Sequence, residues 1–281
     1  MTSGSQVPSR LVGRVAIVTG GGWNIGRAIA CRFAAEGAKV LVSARRRELL
    51  DETARAIEAA GGTCAVFPAD LGDPSQAQAM VDATLQRFGA VDVVAAMAGG
   101  GSVYAPIDEI DPARFASILG QNVLTAFHTI RAVMPHYRAR NRGVVITAAG
   151  GGAFFPWLGV TAAAYACAKA AICRLTDQVQ AEVLDTGIRL NALEPGMVWT
   201  AEKLAAVAAE EARTGVLNPA RVNYRPPEAA AELAAWLASD ESSSMQGRCV
   251  SVYDDWWRDA ERVHRIAHTV HHYRLRRYDL F

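Results

Sequence analysis

Short apolar segments rich in β-branched residues alternate with helix-forming segments along most of the chain, and this alternation limits the fold more than any other feature. A strand predicted at Arg14–Thr19 precedes a helix at Ile25–Glu36, and a strand at Lys39–Ala44 precedes a helix at Glu48–Ala60. The order continues to a seventh strand at Cys249–Val252. Such alternation predicts a parallel sheet with helices on both faces. The strands are apolar throughout, as expected when both of their faces are covered.

Length and composition favour one domain. The 281 residues are 51% hydrophobic and 20% charged, with no internal repeat or linker. We expect a disordered arm at residues 1–10, a single domain at 11–255 and a helical C-terminal extension at 256–281. A net charge of +1 gives no reason to expect nucleic acid, and no apolar run reaches the ~18–20 residues of a membrane helix. Five scattered cysteines without metal-ligand spacing predict free thiols, a cytoplasmic protein and no metal site.

A glycine-rich turn joins the first predicted strand to the first helix. Glycines there allow a tight turn and a close approach of the backbone to a pyrophosphate, and the helix N-terminus offers free N–H groups. This pattern favours a nucleotide site in a Rossmann-type, doubly wound α/β fold with one parallel sheet, and an ordinary strand–helix turn is the alternative. The predicted cofactor contacts in the turn are Thr19, Gly20, Gly22, Asn24, Ile25 and Gly26.

The end of the second strand indicates which nucleotide would bind. Proteins that bind NAD place an acidic residue there for the ribose hydroxyls. This chain has Arg45 and Arg46 after Ala44, and guanidinium groups suit a 2′-phosphate. A solvated basic helix start is the alternative, although a helix N-terminus disfavours cations. We therefore favour NADP(H) over NAD(H).

Together with further motifs, these residues resemble the short-chain dehydrogenase/reductase family in its compact form of about 250 residues, over roughly residues 11–252. Thr19, Gly20 and Gly26 match the family's glycine motif, while Asn24 replaces a glycine and is expected to tolerate a positive φ. The resemblance implies adenine contacts from Asp70 and Leu71, and a nicotinamide cover from the segment that follows the sixth strand. The other matching residues are Ala98, Gly99, Asn122, Tyr165, Lys169, Pro195, Gly196, Val198 and Thr200.

Tyr165 and Lys169 are spaced to lie on one face of a helix. A free tyrosine titrates near pH ~10, and a nearby ammonium would lower its pKa. The resemblance implies that Tyr165 is the catalytic acid/base, that Lys169 also holds the nicotinamide ribose, and that Asn122 supports a proton-relaying water.

The family's usual serine after the fifth strand is absent, and Gly150 stands in its place. Losing a donor to a developing oxyanion typically costs ~10²–10³ in rate. A backbone N–H, a water or a threonine could substitute, or the substrate could be an imine or an activated ketone that needs no such donor. The remaining alternative is an NADP(H)-binding regulatory or scaffold protein with a vestigial site.

Aromatic residues near the carboxyl ends of the strands suggest an apolar substrate pocket, with ordinary loop packing as the alternative. We predict an NADP(H)-dependent oxidoreductase acting on a carbonyl or alcohol of an apolar or aromatic small molecule. The family resemblance also implies a homo-oligomer. In the tail, His264 and His268 have metal-compatible spacing but lack a carboxylate partner motif, so packing is preferred to metal binding. The predicted pocket residues are Gly150, Phe154, Phe155, Trp157, Tyr104 and Trp199.

Overall fold

The computed structural model of the protein describes residues 9–156, 160–269 and 271–275. Seven strands lie in this part of the chain: β1 Val15–Thr19, β2 Lys39–Ala44, β3 Thr63–Pro68, β4 Val93–Ala96, β5 Gly143–Ala148, β6 Ile188–Glu194 and β7 Cys249–Ser251. The α-helices described are α1 Asn24–Ala35, α2 Arg47–Ala59, α3 Pro74–Phe88, α4 Pro112–Leu119, α5 Thr125–Arg140, α6 Ala163–Glu182, α7 Ala201–Thr214, α8 Pro227–Ala238 and α9 Ala260–Ala267.

All seven strands form one parallel sheet in the order β3-β2-β1-β4-β5-β6-β7. The predicted doubly wound α/β fold is therefore confirmed. The order reverses between β1 and β4, because β2 and β3 extend to one side of β1 and the later strands to the other. Open α/β sheets bind ligands at such a reversal, beyond the carboxyl ends of the strands.

Two apolar clusters cover the two faces of the sheet. On one face, α1 packs against α8, and the buried Phe33 and Trp236 belong to this cluster. On the other face, α3 packs against α5, with Met80 and Tyr137 fully buried. Because both faces are covered, the buried strands are apolar at nearly every position, for example in β1 and β4. No helix of the described residues is both long and apolar enough to cross a membrane.

The C-terminal segment packs on its own domain. Trp256 and Trp257 are buried against Trp236 of α8, with ring centroids 6.2 Å and 5.6 Å away. The buried Arg248 side chain donates hydrogen bonds to tail carbonyls, including that of Ala267 at 3.1 Å. In α9, Val263 is buried on the side that faces the domain. The C-terminal segment therefore buries apolar side chains against its own domain in the part that the structure describes.

Candidate active site

A cleft of about 770 Å³ opens at the carboxyl ends of the strands, where the strand order reverses. It extends from the end of β2 to Tyr165 and Lys169 on α6. The cleft brings together most of the predicted cofactor residues. Those outside its lining are Thr19, Gly196, Val198 and Thr200.

The glycine-rich turn lines one wall of the cleft with Gly20, Gly22, Asn24, Ile25 and Gly26. A Cβ atom on Gly26 would overlap the carbonyl oxygen of Gly20, so only glycine lets the start of α1 pack onto the turn. Asn24 takes φ 48°, a left-handed backbone conformation that asparagine tolerates better than most residues. The N-terminus of α1 thus opens into the cleft with its backbone N–H groups, which suits a pyrophosphate.

Arg45 and Arg46 follow β2 and line the cleft with exposed side chains. Among the described residues, neither guanidinium has a carboxylate within 4 Å of its nitrogen atoms. The next arginine, Arg47, instead lies 3.5 Å from Asp51 in α2 and does not line the cleft. This end of the cleft therefore presents two cations and no acidic partner for a ribose.

The middle of the cleft is lined by Asp70, Leu71, Ala98 and Gly99. The Asp70 carboxylate accepts a hydrogen bond from the backbone N–H of Gly72 at 3.0 Å, which fixes the turn after β3. Thr19 supports the wall from behind, because its hydroxyl is buried and accepts a 2.9 Å hydrogen bond from the Ala98 N–H. Thr19 thus positions the loop after β4 rather than lining the cleft.

Asn122 lies in a short π-helix, Gly120–Leu124, between α4 and α5. Its buried amide donates to the carbonyls of Gly100 at 3.0 Å and Ile118 at 2.9 Å, and its oxygen accepts from the Gly100 N–H at 3.1 Å. These contacts fix the glycine loop after β4. The water-relay role implied by the family resemblance stays a prediction, since the side chain is engaged with backbone groups.

Tyr165 and Lys169 both line the far end of the cleft from α6. The Lys169 ammonium lies 5.4 Å from the Tyr165 ring centroid and donates a 3.0 Å hydrogen bond to the Ala148 carbonyl. Burial raises the pKa of Tyr165 to about 12, with smaller effects from Tyr104 and Glu194. Burial also lowers the pKa of Lys169 to about 8.

These pKa directions correct one expectation from the sequence. Spacing alone suggested that the Lys169 ammonium would lower the pKa of Tyr165. In the folded chain the hydroxyl is desolvated and the ammonium is bonded to Ala148, so burial prevails. Tyr165 therefore stays protonated at neutral pH, as a proton donor must.

Gly150 follows β5 and faces Tyr165 directly. A Cβ atom at Gly150 would lie 2.8 Å from the Tyr165 hydroxyl and 3.1 Å from Cγ of Lys169. Thr147, three residues before Gly150, directs its hydroxyl elsewhere, because it is buried and its Oγ1 lies 2.7 Å from that of Thr176. The Gly150 backbone therefore packs directly against the Tyr165 hydroxyl and the Lys169 side chain.

The segment after β6 reaches the cleft only through Pro195. Thr200 caps α7, where its hydroxyl accepts a 3.2 Å hydrogen bond from the Lys203 N–H. Trp199 stacks on Tyr224 with ring centroids 5.1 Å apart. The nicotinamide contacts of Gly196, Val198 and Thr200 stay predictions.

The predicted substrate residues do not form one enclosed pocket in the described chain. Tyr104 and Phe155 are 69% and 79% exposed, and Tyr104 is close enough to Tyr165 to affect the pKa of its hydroxyl. Phe154 packs instead on a small cluster with Cys173 and Cys249. Trp157 lies outside the described residues. The assignment of these aromatics to a substrate pocket stays a prediction.

Sequence reasoning missed several residues of the cleft. Trp23 lines the cleft and is 50% exposed, and its position between Gly22 and Asn24 was the signal in the sequence. The others come from places where only packing decides which residues face inward. They include Leu49, Gly72, Met97, Gln121 and Ala149.

No histidine lines the cleft among the residues that the structure describes. The His264 and His268 rings are 4.3 Å apart in the tail, and His268 Nδ1 lies 2.7 Å from the His264 carbonyl oxygen. No group of three or more His, Cys, Asp or Glu residues suited to a metal occurs among the described residues.

A doubly wound sheet with a glycine-lined cleft that ends at a Tyr–Lys pair defines a nucleotide-dependent oxidoreductase. The chain belongs to the short-chain dehydrogenase/reductase family, since the family described as short chain dehydrogenase matches residues 14–211. Its members are enzymes that use NAD(P)(H) to interconvert carbonyls and alcohols. This chain is an oxidoreductase of that family.

Individual relatives cover nearly the whole chain. It is 35% identical to 3beta-hydroxysteroid dehydrogenase 1 of Eggerthella lenta, over 86% of this chain and 93% of that protein. It is 31% identical to levodione reductase of Leifsonia aquatica, over 90% and 97% of the two chains. The solved structure of a hydroxysteroid dehydrogenase from Escherichia coli is similar, with a TM-score of 0.76, 27% identity and coverage of 87% and 97%.

Proposed function

We propose that this protein is an NADP(H)-dependent oxidoreductase for a carbonyl or alcohol on an apolar or aromatic small molecule. The observation that carries the proposal is one continuous cleft, with Arg45 and Arg46 at one end and Tyr165 and Lys169 at the other. The first pair suits a phosphorylated ribose, and the second suits proton transfer beside a hydride acceptor.

The residues present fit an NADP(H) molecule. The glycine-rich turn and the N-terminus of α1 line the cleft together, an arrangement that suits a pyrophosphate. Arg45 and Arg46 would hold the 2′-phosphate, and Asp70 and Leu71 the adenine side. When bound, the dinucleotide would supply or accept hydride.

Tyr165 would donate its proton to the substrate oxygen during reduction and remove it during oxidation. Its raised pKa keeps the hydroxyl protonated until charge develops on the substrate. Lys169, held by the Ala148 carbonyl, would orient the ribose. Asn122 would keep the loop after β4 in place through its bonds to Gly100.

An apolar substrate is supported by two exposed aromatic side chains in the loops after β4 and β5. Tyr104 and Phe155 leave large apolar surfaces open at the carboxyl edge of the sheet. Two similar proteins are named for hydroxysteroids, which are apolar molecules. We also propose a homo-oligomer, as is typical of the family, and a cytoplasmic setting suited to five free cysteines.

The test is a fluorescence titration with NADPH and NADH, followed by turnover assays on apolar ketones and alcohols. Tyr165→Phe removes the proton but keeps the ring, so we expect kcat to fall ~10²-fold or more. Cofactor affinity should stay nearly unchanged. Binding without turnover of any substrate would favour a regulatory protein, and normal turnover by Tyr165→Phe would assign the proton transfer to another group.

A further inference from the structure

Trp23 is a large apolar side chain of the cleft to which the proposed chemistry gives no part. It stands between Gly22 and Asn24, lines the cleft and is 50% exposed. Trp23 occupies the N-cap position of α1, but its side chain makes no capping hydrogen bond. An indole offers only an N–H donor, so it cannot accept a bond from the helix N–H groups as a serine or an aspartate would. The turn and the helix therefore do not require an indole at this position.

Contacts of the adjacent backbone place Trp23 at the arginine end of the cleft. A Cβ on Gly22 would lie 3.0 Å from Cβ of Leu49, which belongs to the first turn of α2 and also lines the cleft. Arg46 is the N-cap of α2, three residues before Leu49, and Arg45 precedes it. The helices α1 and α2 also pack against each other. The indole and the two guanidinium groups therefore lie at the same end of the cleft.

The two arginines by themselves would hold a phosphate in contact with water. Both side chains are exposed, and water and dissolved salt weaken exposed ion pairs. An apolar wall beside such charges lowers the local dielectric constant and focuses the field between them. Trp23 supplies a wall of this kind, because its indole is the largest apolar side chain among the described residues that line the cleft.

We propose that Trp23 is a specificity-determining residue that covers the adenosine 2′-phosphate held by Arg45 and Arg46. This inference rests on the proposed NADP(H)-dependent function. The indole excludes water from the ion pairs, so it strengthens binding of a phosphorylated adenosine ribose more than binding of an unphosphorylated one. It takes no part in hydride or proton transfer, which we assign to the Tyr165 end of the cleft.

NADPH and NADH differ only in the 2′-phosphate, so their affinities test this assignment. In a titration followed by nicotinamide fluorescence, we expect wild type to bind NADPH more tightly than NADH. Trp23→Ala should weaken NADPH binding ~10-fold, because the charge-assisted contacts become exposed to water, and NADH binding by less than about 2-fold. Trp23→Phe retains an apolar wall and should keep most of the affinity for NADPH.

Phe127→Ala is the matched control variant. Phe127 is 42% exposed on α5 and does not line the cleft, so its removal should leave the ratio of the two affinities unchanged. At saturating NADPH, kcat of Trp23→Ala should stay within about 2-fold of wild type, since the lost interaction is present throughout the reaction. Thermal unfolding of each variant is measured in parallel.

The salt dependence of binding gives a readout that damage to the turn would not change. Adenosine 2′,5′-bisphosphate carries the 2′-phosphate without the nicotinamide, and its affinity is measured by calorimetry at low and high KCl. Covered ion pairs are screened less than exposed ones. The affinity should therefore fall more steeply with salt in Trp23→Ala than in wild type, whereas a damaged turn would lower it by the same factor at each salt concentration.

The outcomes separate the role of Trp23 from the proposed function. Equal losses for NADPH and NADH in Trp23→Ala, or no loss for either, would overturn the assignment of Trp23 while the wild-type preference for NADPH remained. The same salt dependence in Trp23→Ala and wild type would also overturn it. A wild type without any preference for NADPH would refute the proposed cofactor, and with it the role of Trp23.

Discussion

Replacing Gly150 by serine tests whether the site is adapted to work without a hydroxyl at this position. The new Cβ would lie 2.8 Å from the Tyr165 hydroxyl, a separation that real Cβ atoms essentially never show. Ordinary contacts begin near 3.4 Å, so the two groups must separate by about 0.6 Å. The adjacent Lys169 Cγ at 3.1 Å restricts movement on the other side.

The magnitude follows from this displacement. A misplacement of about 1 Å at a reacting group can cost ~10²-fold in rate, so a shift of about 0.6 Å predicts a loss of roughly 10-fold or more in kcat/KM. Overpacking of this kind costs about 1–3 kcal/mol of folding free energy. Backbone strain adds nothing, because Gly150 is not among the glycines with positive φ, whereas its neighbour Gly152 has φ 84°.

Gly150→Ala is the matched control, since alanine brings the same Cβ without a hydroxyl. We expect both variants to lose activity alike in steady-state assays, with thermal unfolding measured in parallel. A well-folded Gly150→Ser that gains activity while Gly150→Ala loses it would refute the reasoning. It would show that Tyr165 yields easily and that the wild-type site merely lacks an oxyanion donor.

Two further predictions concern cofactor binding and the pH dependence of the reaction. Arg45→Ala should weaken NADPH binding ~10- to 100-fold by loss of a charge-assisted contact, with NADH affinity nearly unchanged in the same titration. Arg47→Ala is the control, since Arg47 pairs with Asp51 outside the cleft. Equal losses of affinity for both cofactors in Arg45→Ala would exclude recognition of the 2′-phosphate by Arg45. Burial lowers the pKa of Lys169 to about 8, so its ammonium is present below that pH and is lost above it. The reduction rate should therefore fall as pH rises through about 8 in a kcat profile, and a flat profile up to about pH 10 would contradict a role for the Lys169 charge.

Much of this protein follows from local sequence patterns. The alternation of strands and helices predicted the parallel sheet, because backbone geometry imposes the periodicity of each element. The turn from Gly20 to Gly26 predicted one wall of the cleft, since only glycine permits its close backbone contacts. The spacing of Tyr165 and Lys169 placed both on one helical face, and both line the cleft.

Tertiary structure alone decided how these groups act on one another. The pKa of Tyr165 is raised because the folded chain buries the hydroxyl. The four-residue spacing between Tyr165 and Lys169 does not predict this burial. The approach of Gly150 to Tyr165 and the position of Glu194 depend on how β5, β6 and α6 pack. Such distances and desolvation arise between segments far apart in the chain, so they become defined only when the core has formed.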